Sequence, residues 1–329
     1  MKPTMASLDP VLTWIYFVLL CVITVIALSA NIIVLTWKPS NPDDRMCFAR
    51  LGHLLASQAL ANMTTAIVFI PLWLFILIVQ HKSSTSVNLD ELNDICVHSF
   101  DVFHGLLANL HLVVIATERA CVIGWPIIHR TAAERITYIA TVSPWLASSL
   151  LSSIVIIIYY FTTAPILAVV SSSAFFGFPA LVTCAVFLAV PLRLLRHELT
   201  PSQENNVAIS QAMAVVFSSY FITSLPYHVV NVLNFFCASC YLNKLSVTIG
   251  LRCLLYSSSA LIPIAVILSI PDLRAKVQWC CFRFHAINEE SENDLHAMEI
   301  PGIQSTNNSC TLVNTVLKKD EPVQDESPL

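Results

Sequence analysis

Residues 96–126 read CVHSFDVFHGLLANLHLVVIATERACVIGWP, an apolar stretch interrupted near its start by Asp101 and near its end by Glu118-Arg119. Asp101 and Arg119 are 18 residues apart. At about 1.5 Å rise per residue a helix separates them by roughly 27 Å, close to the hydrocarbon thickness of a bilayer. One helix through this stretch holds an acid close to one membrane face and an ion pair close to the other. Ionisable groups are expensive in a span and are functional candidates by default. The other apolar runs are therefore read as the scaffold around this helix.

The composition agrees. The chain has 329 residues, 56% hydrophobic and 12% charged, with a mean hydropathy of +0.72, whereas soluble domains carry roughly a quarter of charged residues. Only six glycines occur, so no Gly-rich phosphate loop is expected. Seven spans are predicted, at 11–37, 49–79, 95–123, 136–161, 166–195, 209–236 and 245–270, each long enough to cross with some tilt. The first is too long for the core of a removable signal peptide and reads as a retained span. The fold class is all-α: a seven-transmembrane helix bundle over 11–271, preceded by a polar N-terminus, 1–10. A short interfacial eighth helix is expected over 272–282 and a disordered acidic tail over 283–329.

Lys and Arg set the expected orientation. One set of loops holds Lys38, Arg45, Arg50, Arg130, Arg135, Arg193 and Arg196, and the segment after the seventh span adds Arg274, Lys276 and Arg283. The opposite set offers Lys2, Lys82 and Lys244. The N-terminus is expected outside and the tail inside. Cys280 and Cys281, at the end of the interfacial segment, are palmitoylation candidates that would sit in membrane lipid.

With these features in register the chain resembles a rhodopsin-class (class A) G-protein-coupled receptor. Asn31 resembles the family's first-span Asn, and Leu55-Ala56 with Asn62 and Pro71 resembles the second-span Leu-Ala…Asp…Pro. Glu118-Arg119-Ala120 stands where the family has Asp-Arg-Tyr, with Pro126 seven residues later. Trp145 resembles the fourth-span Trp, and Phe176 with Pro179 the fifth-span Phe-x-x-Pro. Leu225-Pro226-Tyr227, Pro263 and Pro271-Asp272-Leu273-Arg274 match the sixth span, the seventh span and the start of the interfacial helix. The resemblance implies a plasma-membrane receptor that passes binding of an extracellular ligand, an amine or a peptide, to heterotrimeric G proteins and arrestin. It implies no catalysis and no cofactor.

The departures from the family pattern concern switching. The second-span Asp is Asn62, and its usual partners are Ala108, Ser258 and Ile262, so a charged sodium pocket is not expected. The sixth-span Cys-Trp-x-Pro is Thr223-Ser224-Leu225-Pro226, the Asn-Pro-x-x-Tyr is Ile262-Pro263-Ile264-Ala265-Val266, and the fifth-span Tyr is Phe187. The resemblance assigns Arg119 to G-protein coupling, paired at rest with Glu118. Its usual sixth-span acid falls at Asn206, with Glu204 as a substitute two residues earlier. A bland interfacial ion pair is the other reading of Glu118-Arg119.

Asp101 aligns with the family's ammonium-binding Asp, Tyr256 with its supporting Tyr, and Ser171, Ser172 and Ser173 with catechol-binding serines. A carboxylate in a low-dielectric pocket would hold a cation strongly. Arg252, one turn above Tyr256, faces the same pocket and offers Asp101 an internal partner instead. Asp101, His104, Tyr227, His228, Arg252 and Tyr256 form the candidate ligand pocket. His104 and His228 would hold a metal only with a further ligand, which the spacing does not demand. The family's retinal-binding Lys is absent from the seventh span, where Tyr256 stands, so covalent retinal is not expected. Asn31, Asn62, Trp145, Pro179, Pro226 and Pro263 are the candidate structural core.

No Cys lies between spans four and five, so the family's usual bridge from the third span, where Cys96 stands, cannot form. Cys237 and Cys240 would instead bond in an oxidising compartment or remain free thiols. A short second outer loop and third-loop cysteines are similar to melanocortin-type receptors, which lack the fifth-span Pro retained here as Pro179. The chain ends Glu326-Ser327-Pro328-Leu329, similar to the carboxyl-terminal ligands of PDZ domains. Ser291, Ser305, Ser309 and Thr311 are candidate phosphorylation sites. An alternative is a non-signalling seven-span binding or scaffold protein that keeps the fold. An intramembrane enzyme lacks a motif here, and nucleic-acid binding has no support.

Overall fold

A computed structural model describes residues 10–37, 45–82, 89–125, 129, 134–161, 176–177, 180–186, 201–236, 245–270 and 273–278. Pro179, Cys237, Cys240, Cys280, Cys281, Pro126, Ser171, Ser172, Ser173, the N-terminal segment and the acidic tail lie outside the described residues. So do the side chains of Cys96, Glu204 and Asn206.

The described residues are helical almost throughout. The helices are α1 (Pro10–Leu35), α2 (Arg45–Thr64), α3 (Ile70–Lys82), α4 (Leu89–Gly124), α5 (Glu134–Phe161), α6 (Pro201–Phe236) and α7 (Leu245–Ser269). A π-helical turn, Thr65–Phe69, joins α2 to α3 in one continuous run. Six helical stretches among the described residues are long and apolar enough to cross a bilayer. This is a multi-pass all-α membrane bundle. The expected fifth span, 166–195, falls mostly outside the described residues, of which 176–177 and 180–186 are helical. Residues 273–278 are also helical.

Local chemistry explains the helix limits. Pro10 and Pro201 occupy first helical positions, where the missing N–H is not needed. α4 starts at Leu89, earlier than the apolar pattern suggests. α7 packs against both α1 and α6, and α4 against α2, α5 and α6. One apolar cluster joins Leu54, Leu112, Ile115, Met213, Val216 and Ile262. Another joins Leu20, Ile23, Phe69, Trp73 and Ile249. The outward faces are apolar as well, with Val25, Ile139, Leu146, Ile222 and Leu268 exposed. That is the surface a lipid-facing bundle requires.

Prolines inside spans leave carbonyls without donors, which lipid cannot satisfy. Pro263 lies inside α7, so the Ser259 carbonyl four residues earlier loses its helical donor. Asn31 Nδ2 on α1 donates to that carbonyl at 3.0 Å, and also to Ala27 O at 2.7 Å. Asn31 Oδ1 accepts from Asn62 Nδ2 at 3.3 Å, and Asn62 Oδ1 from Gln58 Nε2 at 3.2 Å. One fully buried amide thus repairs the proline break and ties α1, α2 and α7 together. Pro71 has its counterpart in the π turn, which carries the backbone past the missing donor with Ile70 N–H bonded to Thr65 O.

Replacing Asn31 by Ala orphans the Ser259 carbonyl and the Asn62 amide. The detergent-purified protein is expected to lose about 1–2 kcal/mol in thermal unfolding. Ser29→Ala, whose exposed hydroxyl only bonds back to Val25 O, should change stability by less than about 0.5 kcal/mol. Equal losses in the two variants would refute the bridging role.

Candidate functional site

Asp101 is 1% exposed in the first turns of the α4 span, where a carboxylate needs donors from protein. α6 and α7 supply three. Tyr227 Oη donates to Oδ2 at 2.6 Å, Arg252 Nε to the same oxygen at 2.8 Å, and Tyr256 Oη to Oδ1 at 2.5 Å. Arg252 and Tyr256 are four residues apart on α7, so a helix places both on one face. The charge pair is local, and the phenol protons spread the remaining negative charge. These three donors take most of the carboxylate's acceptor capacity. The geometry realises the internal Asp101–Arg252 pair.

Arg252 is held from its other side by Trp73, with Cζ 4.4 Å from the ring centroid, a cation–π contact. The π turn makes this possible. Its extra residue rotates α3 relative to α2 and helps to bring Trp73 round to α7. The same turn delivers Thr65, whose hydroxyl lies 2.8 Å from His104 Nδ1. The other ring nitrogen of His104 lies 3.4 Å from Ser258 Oγ. Both nitrogens of His104 are therefore engaged within the core, bridging the π turn, α4 and α7. Among the described residues no group of His, Cys, Asp or Glu is placed to hold a metal.

His228 differs from His104. Its ring stacks on Phe176, centroids 3.7 Å apart and planes 20° apart, and its buried Nε2 has no partner among the described residues. It lies beside Gly105 of α4, where an added Cβ would stand 3.6 Å from Nε2, an ordinary van der Waals distance. One step away Tyr220 Oη donates to Gly105 O at 2.9 Å. α6 is thus bonded to α4 twice, at Asp101 and one turn further in.

A polar cluster that the sequence reading did not single out lies between α2, α4 and α5. Ser57 Oγ lies 2.9 Å from His111 Nε2 and accepts from Trp145 Nε1 at 3.0 Å. His111 Nδ1 lies 2.8 Å from the Leu107 carbonyl, which can only accept, so Nδ1 carries the proton. Nε2 is then the acceptor and Ser57 donates to it. Trp145 was a candidate of the structural core, and Ser57, five residues before Asn62 on α2, was the available signal.

At the far end of α4, Arg119 is 2% exposed. It forks onto its neighbour Glu118 through Nε at 2.5 Å and Nη2 at 2.6 Å. His129 Nε2 lies 3.2 Å from Glu118 Oε1, and Arg50 Nη1 donates to His129 O at 2.7 Å. His129 and Arg50 were not legible as members of this site, because His129 comes from the connection after the helix. Beyond α7, Lys276 Nζ donates to Thr36 O at 2.9 Å, tying the 273–278 segment to the end of α1. Cys21, Cys121, Cys184 and Cys253 are free thiols.

No family model matches the chain, and a search of the curated proteins finds no matching relative.

Breaking a buried pair on one side costs roughly 3–5 kcal/mol. Asp101→Asn and Arg252→Gln are each expected to lower folded yield and thermal stability, and the double variant to recover most of the loss. Surface abundance and unfolding of purified protein measure this as a double-mutant cycle. Strictly additive losses would refute the pairing.

Proposed function

We propose that this chain is a divergent rhodopsin-class receptor in the plasma membrane, with its N-terminus outside, that passes an extracellular signal to heterotrimeric G proteins. The observation that carries the reading is the pair of buried ion pairs at opposite ends of α4, Asp101–Arg252 and Glu118–Arg119. The first ties α4 to α7 and, through Tyr227, to α6. The second sits where the family resemblance implies G-protein contact. A ligand that alters the first can bias how the helices pack at the second, as a shift between two states. Arg119 and the loops after α4 and before α6 would meet the G protein. The tail would meet arrestin when phosphorylated, and its last residues a PDZ-domain protein.

A second reading, a seven-span binding or scaffold protein without signalling, is favoured by the family's toggle position, where the fully buried Ser224 stands in place of an aromatic ring. Beside it, Thr223 Oγ1 bonds to its own helix, at Ser219 O and Tyr220 O.

Basal G-protein turnover in cells, at matched surface expression, separates the two readings. Wild type is expected to give a signal that Arg119→Ala reduces by about tenfold, the loss of one charge-assisted contact. A wild-type signal that survives Arg119→Ala would refute the coupling role. Silence in both, together with partners captured by the tail, would favour the scaffold.

A further inference from the structure

Glu118 serves two partners with one carboxylate. Arg119 takes both oxygens, Nε on Oε2 and Nη2 on Oε1, and His129 Nε2 shares Oε1 at 3.2 Å. A carboxylate oxygen only accepts, so Nε2 carries a proton in this contact. His129 is buried, although it lies beyond Gly124, where the apolar stretch of α4 ends. Its main chain fixes it there from two sides. Its N–H donates to Trp125 O at 2.9 Å, and Arg50 Nη1 of α2 donates to its carbonyl at 2.7 Å. The imidazole is thus held on Glu118 by bonds that do not depend on its own charge. Among the described residues, the charged and titratable groups around it are Glu118, Arg119 and, beside Glu118, Cys121 of α4, with Arg50 of α2 on the backbone side. Glu118 is the one acid in that set.

We propose that His129 is a pH-sensitive rival of Arg119 for Glu118, and that its protonation loosens the Glu118–Arg119 pair. A neutral imidazole donates from a dipole, which is no match for the charged fork of a guanidinium. When Nδ1 takes up a proton, the ring becomes a full cation while Nε2–H keeps its place on Oε1. Two cations then face a single carboxylate. Their mutual repulsion falls on the partner that is free to leave. His129 is anchored through its backbone to Trp125 and to α2, whereas Arg119 bonds to Glu118 alone among the described residues. The guanidinium is therefore the group that gives way. Imidazole is also the side chain whose charge changes near neutral pH. A Tyr or Gln at this position could donate the same bond but would carry no switch. Release of Arg119 affects coupling only on the receptor reading, on which that consequence rests; the competition itself does not need it.

Nitrogen-15 NMR of the full chain, labelled at histidine and purified in neutral detergent, tests the competition. The His129 signal is the one missing from His129→Gln. Rivalry is reciprocal: if the charged imidazole weakens the hold on Arg119, loss of Arg119 must tighten proton binding by His129. Arg119→Gln is expected to raise the proton affinity of His129 about threefold, and Glu118→Gln to lower it by about as much, each the size of one partly screened charge pair. Arg119→Lys keeps the charge and should titrate as wild type. Unchanged titration in Arg119→Gln and Glu118→Gln, or a shift in Arg119→Lys as large as in Arg119→Gln, would overturn the proposal. Basal G-protein turnover in membranes reads the consequence. Between about pH 7.5 and about pH 6.5 the wild type should gain about threefold over His129→Gln. Equal pH profiles in two active forms would overturn the switch. Silence in both forms, with the titration coupled as expected, would fail the receptor reading alone.

Discussion

A carboxylate that is almost wholly buried inside a lipid-embedded bundle has to be satisfied from within, and Asp101 sets that demand on the helices around it. Its three donors come from two other helices, so α4, α6 and α7 cannot shift independently at that level. Arg252 carries the constraint one helix further, because its charge rests on Trp73 of α3. Four helices thus converge on one acid. In water a pair of this kind contributes little. Here its value lies in the cost of breaking it, since each partner alone would be an unpaired charge in a low-dielectric interior.

The backbone makes the same demand on a smaller scale. At Pro263 and Pro71, where proline removes a donor, a side chain and a change of helical pitch respectively answer. Asn31 answers for Pro263 with a direct bond to the freed carbonyl. The π turn answers for Pro71, and its consequence reaches beyond the backbone: it brings Thr65 onto His104 and helps to bring Trp73 onto Arg252. A repair of local hydrogen bonding therefore shapes the charged cluster.

That link also marks what the sequence could reveal. Arg252 and Tyr256 were legible as sharing a face because helical spacing fixes it, and the family resemblance set Asp101 beside them. Glu118 and Arg119 were legible as neighbours, and Trp145 from its position in the pattern. Trp73 was not legible as a partner of Arg252. A reading in steps of 3.6 residues loses register at a π turn, and nothing in Thr65-Ala-Ile-Val-Phe69 announces one. Ser57 with His111, and His129 with Arg50, depend on which helices meet, and periodicity along a single helix does not carry that information. The six crossing helices among the described residues follow from apolar length. The fifth expected span, 166–195, falls mostly outside the described residues.

The two ends of α4 differ in how their charges are satisfied, and the difference has a mechanical meaning. Asp101 is satisfied across helices, and a second bond from Tyr220 to the Gly105 carbonyl reinforces the same half of the α4–α6 contact. Arg119 is satisfied by the residue next to it. That pairing settles the charge but sets no distance to α6. Between α4 and α6 at that level the described contacts are apolar, with Ile115 near Met213 and Val216 in one cluster. Dispersion contacts are weak individually and carry little directional preference. Separating the helices there costs packing, whereas separating them at Asp101 would strand a charge. Among the described contacts, directional bonds therefore hold α4 to α6 at the acid end, whereas apolar packing joins them at the level of Ile115.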